Sequence, residues 1–257
     1  MVLMSAGALA GVVVGVVTLM DHLGGGERVA QHANPAADVM SIYDSFSESC
    51  INDSKWTGFV VLDGDTREEH SPDDVGCLPA DEYGLTVADG RLRIRVTNPA
   101  SGQTRNFYLL ADPVLGIAEL EIGFTIEDVR PELGAIGLQI LLDEASYTWG
   151  EFLVLFDEYP SIRTGIVVLE RYGNAIAWNR TQLEDVEPYS LGDPMRLGVR
   201  WDGQAVHLLV EGEEVATTPV VGYGDSFAIV CGIGSNRLGD EPMLVGYIDE
   251  VRIRYWK

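Results

Sequence analysis

Two glutamates stand two residues apart in the run Ala118-Glu-Leu-Glu-Ile-Gly-Phe-Thr-Ile126. In a β-strand successive side chains point to opposite faces, so Glu119 and Glu121 share one face while Leu120, Ile122 and Phe124 share the other. A pair of carboxylates is what hydrolysis of a glycosidic bond requires, one as nucleophile and one as acid, about 5 Å apart when configuration is retained. Other chemistry is less well supplied. The histidines His22, His32, His70 and His207 are scattered along the chain, so no base stands out for elimination from a uronate. Gly232-Ile-Gly234 follows a strand-like run but precedes no helical pattern, which excludes a dinucleotide loop. The cysteines Cys50, Cys77 and Cys231 form no CxxC pair and argue against a zinc site. Cys50 and Cys77 occupy polar, loop-like sequence and could be joined in an oxidising compartment. Cys231, inside the apolar run Phe227 to Ile233, reads as a buried free thiol.

Charge narrows the partners. The chain has 40 acidic and 17 basic residues, a net charge of −23, and its only lysines are Lys55 and Lys257. Nucleic acid and anionic lipid both need clustered Lys and Arg, so neither is expected as a partner. The surface reads as acidic and self-repelling, and the acidity also disfavours a polyanionic ligand.

The elements that must position these residues read as strands. From Ile42 onward short runs of period two are separated by turn residues, with no sustained helical period. The clearest are Arg91 to Thr97, Ala118 to Ile126, Ala135 to Leu142, Glu151 to Phe156 and Gly165 to Glu170, followed by Met195 to Trp201, Ala205 to Val210, Ser226 to Cys231 and Gly246 to Tyr255. Asp89-Gly90, Asp202-Gly203 and Glu211-Gly212 fall where hairpins need turns. This spacing predicts an all-β, two-sheet antiparallel sandwich over residues 42–257. Arg91, Arg93 and Arg95 share one strand face, and the arginine strand is expected to pair with the glutamate strand across one exposed sheet.

The first forty residues have a different character. Val2 to Met20 carries no charge and as a helix would span about 28 Å, close to the hydrocarbon thickness of a bilayer. Residues 1–20 are therefore read as a retained single-pass membrane anchor, and 21–41, mixing Gly, Ala, Pro and polar residues, as a linker. Gly7, Gly11 and Gly15 fall on one face of such a helix, where they would let a partner helix approach closely. The sandwich is expected on the extracytoplasmic side.

Three segments carry a family likeness: Tyr43-Asp-Ser-Phe46 with Ser54-Lys-Trp56 and Asp89 to Ile94; Arg196 to Gly203 continuing through Val206 to Val215; and Tyr247-Ile-Asp-Glu-Val-Arg-Ile253. Together they resemble the concanavalin A-like lectin/glucanase superfamily, especially its laminin-G-like members. The resemblance implies a jelly roll whose first and last strands lie side by side, with Trp56, Trp201 and Trp256 as framework. It implies a candidate structural Ca²⁺ held by Asp44 and Asp249. The hydrolases of this superfamily carry their acids on one strand as E-x-D-x-x-E or E-x-D-x-E; here Glu119 and Glu121 are followed by Gly123 and Phe124 where the third acid would stand. The resulting expectation is a non-catalytic module that recognises a glycan or a protein through Tyr147, Trp149, Tyr159, Tyr172 and Trp178. The alternatives are an accessory subunit docked into a membrane assembly through its helix, and a laminarinase-like glycoside hydrolase.

Overall fold

The computed structural model describes residues 39–63, 66–71, 84–97, 104–111, 116–130, 133–143, 148–157, 163–172, 175–179, 189–218, 226–234 and 243–256. The anchor with Gly7, Gly11 and Gly15, and nearly all of the linker, lie outside them. No helix among the described residues is long and apolar enough to cross a membrane.

Sixteen strands account for most of the described chain: β1 Ser41–Asp44, β2 Trp56–Asp63, β3 Thr66–His70, β4 Leu85–Ala88, β5 Arg91–Thr97, β6 Thr104–Ala111, β7 Ile117–Arg130, β8 Leu133–Asp143, β9 Thr148–Asp157, β10 Arg163–Tyr172, β11 Ala175–Asn179, β12 Pro194–Trp201, β13 Val206–Val210, β14 Glu213–Thr218, β15 Ser226–Gly234 and β16 Met243–Tyr255. They form two antiparallel eight-stranded sheets. The first runs β14-β13-β12-β7-β16-β5-β4, with β1 also on β16; the second runs β11-β10-β9-β8-β15-β6-β2-β3. The expected two-sheet sandwich is observed, with first and last strands adjacent: Ser41 faces Ile253 and Asp44 faces Val251.

The inward faces follow the alternation. Leu92, Ile94 and Val96 of β5 and Leu120, Ile122, Phe124 and Ile126 of β7 meet Phe59, Phe107, Leu109, Ile229 and Ile233 of the second sheet in one core. The second sheet hides a further layer. Val60 of β2, Leu110 of β6 and Ala228 and Val230 of β15 are buried although they alternate with the inward residues. Both faces of these strands are therefore apolar, which is why β2 and β6 show no period-two signal.

Two predicted turns form two-residue hairpin loops. Asp89 and Gly90 both take positive φ between β4 and β5, as do Glu211 and Gly212 between β13 and β14, the conformation that matches strand twist.

One expectation about the charged face is corrected. The arginine strand β5 does not pair with the glutamate strand β7, because β16 lies between them. It brings its own arginines: Arg254 faces Glu119 and Arg252 faces Glu121.

The opening of the domain is fixed by Asp44, which is buried. Its carboxylate accepts hydrogen bonds from the Phe46 N–H at 2.9 Å and the Trp56 indole at 2.7 Å, with Lys55 Nζ at 3.4 Å. Trp56 in turn packs edge-on against Tyr43 and Phe227 and stacks on Phe46. Asp44→Ala leaves two buried donors without an acceptor and should cost about 3 kcal/mol of stability in urea unfolding.

Candidate functional site

The glutamate pair lies at the centre of the first sheet, on its outer face. Glu119 and Glu121 leave β7 on the side opposite the buried Leu120 and Ile122. Two residues of strand place their Cα atoms roughly 6.7 Å apart, so the carboxyl groups can approach the spacing of a retaining pair.

Their surroundings differ. Arg254 donates to the Glu119 carboxylate from both Nε, at 3.1 Å, and a terminal nitrogen. Glu121 has no hydrogen bond or ion pair among the described residues. Its stem crosses to β12 and lies over Gly198, where a Cβ would come 3.0 Å from Glu121 Cγ. Burial raises the Glu121 carboxyl above the usual carboxylate range, and the charges of Glu119 and Glu250 raise it further. Arg196 and Arg252 oppose the shift but do not cancel it. A carboxylate clamped by an arginine beside a raised carboxyl is an arrangement that can divide into nucleophile and acid.

The third acid absent from β7 has a counterpart across the ladder. Glu250 of β16 pairs in register with Gly123, and a Cβ on Gly123 would sit 3.6 Å from Glu250 Cγ. Glu250 accepts from Arg196 at 3.2 Å and from Arg252 at 2.7 Å. Three carboxylates from two strands thus sit among three arginines. Sequence inspection found Glu119 and Glu121 but missed Glu250, because its place depends on a bulge between Ile248 and Glu250.

The other expected site residues are placed as follows. Tyr147 and Tyr159 lie outside the described residues. Trp149, Tyr172 and Trp178 fall on β9, β10 and β11, three neighbouring strands at one edge of the second sheet. They belong to the opposite sheet from Glu119 and Glu121. On β9, Glu151 stands in register with Gln139 of β8 and is followed by the apolar run Phe152-Leu-Val-Leu-Phe156.

Asp44 and Asp249 do not converge. Asp44 is turned inward with both oxygens engaged by protein donors, whereas Asp249 is 3.7 Å from Arg91, and its burial raises its carboxyl. No group of three metal-ligating side chains occurs among the described residues. Cys50 is disulfide-bonded; its expected partner, Cys77, lies outside the described residues. Cys231 is the buried free thiol the sequence predicts, its titration pushed above the ordinary thiol range by burial.

No family model and no curated protein sequence matches the chain. Solved structures do. An endo-β-galactosidase from Clostridium perfringens that releases GlcNAcα1-4Gal is 9% identical with a TM-score of 0.57, over 89% of this chain and 64% of its own length. The chain therefore spans somewhat less than two thirds of that enzyme. The catalytic domain of an endo-1,3-β-glucanase (laminarinase) from Thermotoga petrophila is 13% identical with a TM-score of 0.56, over 88% of this chain and 99% of its own. A κ-carrageenase from Pseudoalteromonas carrageenovora, solved with an oligotetrasaccharide, is 11% identical with a TM-score of 0.52, covering 90% and 98%. The fold is a concanavalin A-like jelly roll, as the resemblance implied. These neighbours correct the expectation of a non-catalytic binding module: the three solved structures, similar over 88% to 90% of this chain, are of glycan-cleaving enzymes. The expectation rested on the missing third acid of one strand, and a strand motif does not register a carboxylate supplied by its neighbour.

The raised Glu121 carboxyl has a consequence for stability. Between the unfolded and folded titration points the folded chain holds more protons, so the stability Glu121 contributes is full in acid and is lost as pH rises through the folded pKa. Glu121→Gln removes this dependence. The variant should melt above the parent at pH 7, with the gain vanishing below about pH 4, where the carboxyl is protonated in both states.

Proposed function

We propose that the domain is a glycoside hydrolase acting on a β-linked glycan, with Glu119 as nucleophile and Glu121 as general acid/base. The observation that carries this reading is the pair itself: two carboxylates on one strand face, one clamped by Arg254 and the other half-buried, without an ion pair and raised. The glycan-cleaving enzymes among the fold neighbours support the class.

In this mechanism protonated Glu121 donates to the glycosidic oxygen as Glu119 attacks the anomeric carbon. The bond to the leaving sugar breaks and a glycosyl ester on Glu119 forms. Water then attacks the anomeric carbon, Glu121 takes its proton, and the bond from that carbon to Glu119 breaks, releasing Glu119 as carboxylate. Arg254 holds the nucleophile's orientation through the first step. The net charge of −23 favours a neutral glycan over a polyanion.

For location, the reading is a domain on the extracytoplasmic side of a membrane, tethered by residues 1–20. The disulfide at Cys50 fits an oxidising compartment.

Release of reducing ends from β-1,3-glucan and from β-galactan is the direct test. The parent should cleave one of them, with Glu119→Gln and Glu121→Gln each reducing kcat/KM at least about 1,000-fold. Cleavage that survives both changes but is lost in Glu151→Gln would move the centre to the second sheet. Absence of cleavage on a broad panel of β-glycans would defeat the hydrolase reading.

A further inference from the structure

Two arginines act on Glu121 through their charge, and neither forms an ion pair with it. Arg252 is its cross-strand partner on β16, and Arg196 stands one register step away on β12, opposite Gly123. Both guanidinium groups turn instead to a single oxygen of Glu250, at 2.7 and 3.2 Å. The Arg252 Nε is left buried without an acceptor, so this guanidinium engages Glu250 through a terminal nitrogen alone.

Three local features make the diversion possible. The Glu250 stem lies over Gly123 of β7, where a Cβ would be in ordinary contact with it at 3.6 Å. The bulge between Ile248 and Glu250 leaves both Asp249 and Glu250 outside the core, while Ile248 and Val251 keep their inward places. Gly198 performs the matching service for Glu121, giving its stem a place over β12 with Leu209 of β13 beyond. The charged groups acting on Glu121 are then Glu119 on its own strand, Arg196 on β12, and Glu250 and Arg252 on β16.

We infer that Glu250 is a positioning residue of the carboxylate site: it sequesters Arg196 and Arg252 so that Glu121 stays unpaired and able to hold a proton. This rests on the hydrolase reading for its purpose, but not for its test. Glu250 acts through two effects of the same sign. Its own negative charge disfavours ionisation of Glu121, and it keeps two positive charges at a distance. Losing it frees Arg252 to pair with Glu121 and removes a like charge at once.

The test is a carboxyl-carbon NMR titration of the full-length protein labelled at glutamate Cδ, with the Glu121 signal assigned by its loss in Glu121→Gln. In Glu250→Gln the Glu121 titration should move to lower pH by about one pH unit. Arg252→Gln added to that variant should bring it most of the way back. Glu250→Asp, which keeps the charge, should leave it near the parent value and remains informative if Glu250→Gln folds poorly. Where the parent is active, the alkaline limb of its pH–rate profile should shift with the signal. An unmoved or upward-moving titration in Glu250→Gln, or a large fall in Glu250→Asp, overturns the assignment. A titration that moves as expected in a protein that cleaves no glycan would uphold the arginine diversion and defeat only the hydrolase reading.

Discussion

The register of β16 against β7 is the constraint on which the rest of this face depends. β16 occupies the middle of the first sheet: one edge pairs with β7 along nearly its whole length, and the other with β5 and then β1. A slip of one residue would exchange the inner and outer faces of the strand, burying Arg252 and Arg254 and exposing Val251 and Ile253. Three bulges pin it. At the first, Gly246 lies so close to β7 that a Cβ would come 2.5 Å from the Thr125 carbonyl oxygen, a backbone approach open only to glycine.

The electrostatics of the face follow from that register. The outer surface is a lattice of opposite charges in which most carboxylates find a guanidinium: Glu119 with Arg254, Glu250 with Arg196 and Arg252, Glu214 with Arg200. Exposed pairs of this kind contribute little to stability individually. Their consequence here is local. With its neighbours occupied, Glu121 is left without an ion pair, to burial and like charge. A carboxyl raised by burial and like charge within an otherwise paired lattice is a candidate functional position. The same reasoning sets Asp44 apart: it is more deeply buried, but two donors meet its oxygens and its role is to hold Trp56 and the first strand in place.

Legibility in the sequence tracked exposure. β5, β7 and β16 alternate because their sheet is core on one side and solvent on the other, and Leu92, Ile94, Leu120 and Ile122 fall inward as their spacing implied. β2 and β6 lie in a sheet buried on both faces at Val60 and Leu110, where period two disappears. The acid pair was readable because Glu119 and Glu121 are neighbours in sequence. Glu250 was not, since simple alternation from Ile248 would have turned it inward, and only the bulge brings it over Gly123. Pairing of β5 with β7 was the natural inference from an arginine strand and a glutamate strand, but charge patterns do not show which strand intervenes. The missing third acid of β7 misled for a related reason: spacing along one strand does not register a carboxylate that a neighbouring strand supplies.

If Glu119 and Glu121 are the reacting pair, a glycosyl-enzyme can be trapped on Glu119. A 2-deoxy-2-fluoro glycoside with a good leaving group, incubated with the protein and followed by peptide mass spectrometry, reports the nucleophile. One sugar added per chain is expected, on the peptide containing Glu119, with no addition in Glu119→Gln. A label on the peptide containing Glu151, or turnover of a β-glycan with inversion of configuration, would contradict that pairing.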